Sequence, residues 1–160
     1  GNLAFLSANN FFWGIRLEGR TLVRTRLWRE AGRPESSLLG VQYRANDDGR
    51  KQAPFVVRGT AQAPWFFAGT GLADGATFGQ ELGGYGIEID QATQWSPPGT
   101  ILLADIPDVF GPGLTAQMTY YETPQGAKVF AGGAIDFGGS STLPTVSRML
   151  ANLWARLSAP

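Results

Sequence analysis

Two residue types are missing from the 160-residue chain, and each absence removes a class of chemistry. There is no cysteine, which excludes disulfides, thiolate nucleophiles and thiolate metal sites. There is no histidine, which excludes Ser-His-Asp and Cys-His catalysis, HExxH zinc sites and any imidazole ligand from this chain. Charge is sparse, at 16% of residues, and balanced, with 13 basic and 13 acidic side chains. A general nucleic-acid or anionic-membrane binder needs a basic excess, so neither partner is expected. No run reaches the roughly 18 apolar residues of a membrane span, and no signal peptide is evident; the compartment is left open. The chemistry that remains belongs to Asp, Glu, Tyr, Ser, Thr, Lys, Arg, the amide side chains and the main chain.

What is present is globular. Hydrophobic residues make up 43%, and the length suits one domain with a sizeable core. The chain opens without methionine in a buried-looking apolar run, Leu3-Ala4-Phe5-Leu6. We therefore expect a single domain over residues 1–160 that is a fragment or a processed piece of something longer; the family resemblance below implies its C-terminal part.

The clearest local architecture lies in residues 118–157. Residues 118–122 are rich in β-formers. Thr123-Pro124-Gln125-Gly126 supplies a turn, with Pro at its second and Gly at its fourth position. Residues 127–135 read as the returning strand, with Gly132-Gly133 marking a bulge or a close backbone approach. After a Gly/Ser loop, Pro144 suits a first helical turn. Val146, Met149, Leu150, Leu153, Trp154 and Leu157 share one helical face.

Upstream, residues 2–7 form a continuous apolar run that suits a strand buried on both faces. It ends in Ser-Ala-Asn-Asn, and ligands in open α/β sheets sit beyond such strand ends. Asn9 and Asn10 are thus candidate site residues, with plain turn chemistry as the competing explanation. Residues 11–17 and 20–29 flank Glu18-Gly19 as a hairpin. Its arginines (Arg16, Arg20, Arg24, Arg26), like Arg29 and Arg33 after it, read as solvated strand faces. Residues 38–44 read as a strand. Residues 46–51 form a charged turn without the alternating ligands or closing Glu of a calcium loop. Trp65-Phe66-Phe67 reads as core or lid packing. Residues 69–86 are glycine-rich but lack a nucleotide-binding context; they read as a long free loop anchored by Phe78 and Tyr85. In Ile87-Glu88-Ile89-Asp90 the two carboxylates share one strand face, as an acid/base pair, a metal site or a solvated face. Residues 100–105 form a second apolar core strand. The expected fold class is β-rich, α/β to α+β: a mixed sheet with hairpin excursions and a closing amphipathic helix.

Three segments together resemble the C-terminal part of the N,N-dimethylformamidase large (beta) subunit family. They are residues 2–13 (NLAFLSANNFFW), 86–90 (GIEID) and 120–133 (YYETPQGAKVFAGG), followed by a closing helix carrying Trp154. The resemblance implies a class I glutamine amidotransferase-like, flavodoxin-like fold. It implies part of an amide hydrolase for a small amide substrate, with iron held by tyrosine phenolates and a glutamate. A hard ferric ion suits such ligands, so the lack of His and Cys is no obstacle. On this reading Glu88, Asn9 and Asn10 are the catalytic candidates and Glu88 and Tyr85 the metal-ligand candidates. Glu122 and Asp136 are expected near by. The family's upstream Gly-His-Asp-Glu-Tyr-Trp-like segment is not among these residues. Remaining ligands are therefore expected from outside them, the isolated chain is expected to be inactive, and the missing N-terminal part is an expected partner, as is a homo-oligomer. The competing reading is a non-catalytic carbohydrate- or protein-binding or structural module using Trp13, Trp28, Trp65, Phe66 and Trp95. An exposed row of aromatic rings favours that module; carboxylates converging on a cleft under the glycine-rich loop favour the enzyme.

Overall fold

The structure is a computed structural model, and it describes residues 1–9 and 11–159. In chain order the strands and helices are β1 (Leu3–Phe5), β2 (Trp13–Glu18), β3 (Thr21–Leu27), α1 (Ser36–Leu39), β4 (Gln42–Asn46), β5 (Gln52–Ala53), β6 (Phe55–Val57), α2 (Pro64–Phe67), β7 (Thr77–Phe78), β8 (Tyr85–Gly86), β9 (Glu88–Gln91), β10 (Ile101–Ile106), β11 (Ala116–Glu122), β12 (Lys128–Ala131) and α3 (Pro144–Ser158). Six strands form the main sheet in the order β1-β12-β11-β10-β6-β7. Only β1 and β12 run parallel; the other neighbours are antiparallel. Three two-stranded ribbons, β2-β3, β4-β9 and β5-β8, accompany the sheet. No helix of the described residues is long and apolar enough to cross a membrane.

The β11–β12 hairpin forms as its turn chemistry requires. Gly126 donates its N–H to the Thr123 carbonyl across the four-residue turn (2.9 Å), with Pro124 pre-setting the second position. The returning strand stops at Ala131, short of the expected Ile135. Gly132 and Gly133 leave the β11 ladder and donate instead to Phe5 O (2.7 Å) and Ser7 O (3.1 Å). A Cβ on Gly133 would collide with the Gln117 backbone, and Gly133 also has φ +77°. Here the double glycine is what lets another chain segment come close.

One face of the sheet carries the main core. Phe55, Phe66, Phe78, Tyr85, Phe130 and Phe137 pack there with Leu103, Ile106 and Met118, under the α3 residues Val146, Met149 and Leu153. Pro144 occupies the first turn of α3. Asn152 on that helix donates to Phe66 O and Ala68 O, satisfying carbonyls at the end of α2. The opposite face has a small cluster of Leu39, Val41 and Ala131, with Leu3 and Phe5 against it.

Four further expectations are corrected. The first apolar run is the sheet's outermost strand, with Ala4 exposed, and is not buried on both faces. The strand expected over residues 38–44 begins only at Gln42: Leu38 and Leu39 belong to α1, which Gly40 closes with a left-handed C-cap (its N–H donates to Ser36 O). Residues 69–86 are not a free loop: Phe78 and Tyr85 do anchor the segment, but they do so as strands β7 and β8. Their rings pack with Phe55 at centroid distances of 5.5 and 5.1 Å. Trp154 is 73% exposed and leaves the buried face of α3.

Candidate functional site

The double glycine organises the site. Gly133 receives the Asp90 N–H on its carbonyl (2.9 Å) while its own N–H goes to Ser7 O. Ile135 N–H donates to Glu88 O (3.0 Å), and the Ser7 hydroxyl donates to Ile135 O (2.8 Å). Three remote segments, after β1, at β9 and after β12, are thereby stitched together through backbone groups. Ile87, just before β9, has φ +61°, an outlying conformation for a β-branched residue. It sits at the turn into the strand, with its carbonyl receiving the Asp47 N–H (3.1 Å).

Asn9 lies where these segments meet, in the left-handed region (φ 56°) that Asn tolerates. Its backbone N–H donates to Asp90 Oδ1 (2.9 Å), and its side-chain Nδ2 donates to Glu88 Oε2 (2.6 Å). The other Glu88 oxygen, Oε1, accepts from Asn46 Nδ2 (2.9 Å), because Asn46 on β4 stands in register with Glu88 on β9. Glu88 is therefore a half-buried carboxylate clamped by two amide donors. Asp90, two residues on and facing the same way, is fully buried. Its Oδ2 has no hydrogen-bond partner among the described residues. Burial pushes its acid up to about 7; the Asn9 N–H opposes this, and the nearby charges of Glu35 and Glu88 add to it. Two carboxylates of unlike environment thus stand side by side, one clamped by donors and the other disposed to hold a proton.

Behind them lies an ion pair. Arg29 Nε and Nη2 grip Glu35 at 3.0–3.2 Å, and the Glu35 side chain is essentially buried. The guanidinium rests 5.0 Å from the Phe12 ring centroid, and Phe12 meets the Tyr43 ring edge-on at 5.5 Å. Burial, then the charge of Glu88, raises the Tyr43 phenol. Arg29 and Tyr43 also border an adjoining hollow of about 300 Å³, lined further by Gln42, Arg44, Gln91 and Thr93.

Of the sequence candidates, Asn9 and Glu88 are brought into direct contact. Asn10 lies outside the described residues. Tyr85 is placed elsewhere: its ring is buried among Phe55, Phe78 and Phe137, and burial raises its phenol. Glu122 pairs with Arg156 (2.7 Å) and accepts from the Tyr120 hydroxyl (2.5 Å), on the far end of the β11–β12 hairpin. Asp136 accepts from Gly86 N–H (3.3 Å). The carboxylates do converge, but under the Asn9 loop; the glycine-rich segment instead approaches α3, where Gly69 faces Arg148. Asn46, Tyr43 and the Arg29–Glu35 pair were not anticipated. They arrive through the β4–β9 pairing, whose 42-residue separation leaves no local sequence signal.

Among the described residues no group of three Asp, Glu, His or Cys side chains is placed to hold a metal. The Tyr85 phenol is sealed in the core, so Glu88 stands without the second proposed ligand. These residues do not by themselves fit an iron ion, and no chemical step is derived through one.

Fold and site together define a β-rich domain of mixed sheet and closing helix, with an acid–amide cluster beyond the first strand. The model of the N,N-dimethylformamidase beta subunit-like, C-terminal family matches residues 1–145, and the chain belongs to that family. Among curated proteins none matches.

Proposed function

We propose that this domain contributes one wall of the active site of an amide hydrolase acting on small amides of the dimethylformamide type. One observation carries the reading: Asn9, in a loop some 80 residues away in sequence, is fixed by its backbone on Asp90 while its side chain orients Glu88 (2.9 and 2.6 Å). A half-buried carboxylate held in one orientation by amide donors suits a group that takes a proton from attacking water and returns it to the departing amine. Asn9 and Asn46 set its direction, and Asp90 holds the Asn9 loop. Asn10 adjoins this cluster in sequence and completes the set of candidates. Family membership supports amide hydrolysis as the reaction.

The iron that the resemblance implies would take its ligands mostly from the rest of the subunit, and the isolated domain is then expected to be inactive. The glutamine amidotransferase-like fold belongs to the same reading: β1 is an edge strand with a parallel neighbour, so further parallel strands would add beyond it. The alternative, a binding module, is less well supported. Phe66 is buried, Trp65 is packed against Tyr120 and Arg156, and the exposed Trp13, Trp95 and Trp154 stand on separate elements, so the described residues form no row of rings.

The test is Glu88→Gln in the full-length subunit, with kcat and iron content both measured. Loss of about 10²–10⁴-fold in kcat at unchanged iron content is expected for a proton-transfer group. An unchanged rate would remove Glu88 from the mechanism. Iron lost together with activity would make it a ligand.

A further inference from the structure

The β4–β9 ribbon carries a bulge, and the bulge decides which side chains join the acid pair. Gln42 pairs with Gln91 and Tyr43 with Asp90, but the next partners are Ala45 with Ile89 and Asn46 with Glu88, so Arg44 is the extra residue. Residues three apart on a regular strand point to opposite faces. The inserted residue turns Asn46 onto the same face as Tyr43, and directly opposite side chains in an antiparallel pair share a face. Tyr43, Asn46, Glu88 and Asp90 therefore stand together. The other face keeps Ile89 in the main core, with Ala45 against it. Bulges of this kind re-aim side chains beside active sites.

On the acid face most hydrogen-bond donors are already engaged. Asn9 and Asn46 give their side-chain amides to the two Glu88 oxygens, and the Asn9 backbone N–H goes to Asp90. Asp90 itself is fully buried. Arg29 is held by Glu35 and by the Tyr43 carbonyl, to which it donates at 3.4 Å. The Tyr43 hydroxyl is the donor that remains. It makes no hydrogen bond among the described residues, and Tyr43 is half-buried, not sealed. Its ring is fixed by Phe12, edge-on at 5.5 Å, and Phe12 is backed by the Arg29 guanidinium at 5.0 Å. Burial and the Glu88 charge raise its acid, so the phenol keeps its proton through the neutral range. A fixed, protonated phenol on the face of a clamped carboxylate suits the stabilisation of negative charge growing on a substrate oxygen.

We propose that Tyr43 is a further catalytic residue of the Glu88 site, its hydroxyl donating to the carbonyl oxygen of the bound amide as that oxygen gains charge; this rests on the amide-hydrolase reading. Water adds through its oxygen to the carbonyl carbon, its proton passes to Glu88, and the carbonyl π pair moves onto the oxygen held by Tyr43. When that pair returns, the C–N bond breaks and the proton leaves Glu88 with the amine. The test is Tyr43→Phe in the full-length subunit, with N,N-dimethylformamide as substrate; it keeps the ring against Phe12 and removes the oxygen alone. The expected result is a fall in kcat of about 10²–10³-fold. KM should stay within about threefold of wild type, because the bond is made in the transition state and not in the ground state. Iron content and the urea unfolding midpoint should be unchanged, whereas a ring that only packs would leave kcat alone or lower it together with the midpoint. An unchanged kcat overturns the proposal, and so does a loss carried by KM, by released iron or by a lower midpoint. Glu88→Gln measured alongside separates the two readings. A slow Tyr43→Phe beside a normal Glu88→Gln removes Glu88 and keeps the phenol; a slow Glu88→Gln beside a normal Tyr43→Phe does the reverse. A full-length subunit that hydrolyses no small amide overturns both.

Discussion

Asp90 is the residue where burial, charge and position conflict most. It is fully buried, one oxygen has no partner among the described residues, and its acid is pushed up to about 7 by desolvation. The unfolded chain releases this proton near pH 4, so between about pH 4 and 7 the native state binds more protons than the unfolded state. The stability that neutral Asp90 contributes is therefore fully present below about pH 4 and lost as pH rises through about 7. The amount at stake is about 4 kcal/mol. Asp90→Asn imitates the neutral acid and should flatten this part of the profile, making the variant the more stable protein at alkaline pH. Urea unfolding of both proteins across this range measures it. If wild type and variant lose stability in parallel as pH rises, Asp90 is not the titrating group. Glu35, Glu88 and Arg29 also act on this carboxyl, and the variant isolates the group that titrates.

At the scale of elements, legibility in the sequence follows the range of the interactions that form each one. The β11–β12 turn and helix α3 depend on residues a few positions apart, and Pro124, Gly126, Pro144 and the Val146–Met149–Leu153 spacing announce them. The core strand β10 was likewise readable as an apolar run. The first strand was misread because an apolar run tells that a strand exists, not whether it sits inside the sheet or at its edge; that depends on which strand pairs beyond it. The acid pair on β9 was visible as an i, i+2 pattern, and Asn9 as a polar strand end, but their meeting with Asn46 required a ladder closed over 42 residues. Trp154 was misplaced for a simpler reason: it lies at the border of the helical stripe, where a rotation of a few tens of degrees separates core from solvent. This gives a direct test of the packing of α3. Met149→Ala, at a fully buried site, should cost about 2–5 kcal/mol. Trp154→Ala, the larger truncation, should stay within about 0.5 kcal/mol. Denaturant midpoints of the two variants decide it, and a more damaging Trp154 change would mean that the ring is covered in solution.

For the whole molecule the question is what lies beyond β1. The six-stranded sheet is antiparallel everywhere except at this end, where β1 runs parallel to β12. Parallel strands are ordinarily covered on both faces and continued by further strands. Here, among the described residues, the second face carries the small Leu39, Val41 and Ala131 cluster with Leu3 and Phe5. An edge strand also leaves every second N–H and C=O without a ladder partner. If the rest of the subunit continues the sheet, as the amidotransferase-like proposal requires, those groups acquire partners only in the full-length protein. Hydrogen exchange across Leu3, Ala4 and Phe5 therefore separates the possibilities. The amides that point away from β12 should exchange rapidly in the 160-residue chain and become protected, by several orders of magnitude, in the full-length subunit. Amides in β10, between two strands already, should change little between the two. Equal exchange of β1 in both proteins would show that the sheet ends where this domain ends. The Asn9–Glu88 cluster would then have to meet its substrate at a surface supplied by some other contact than a continued sheet.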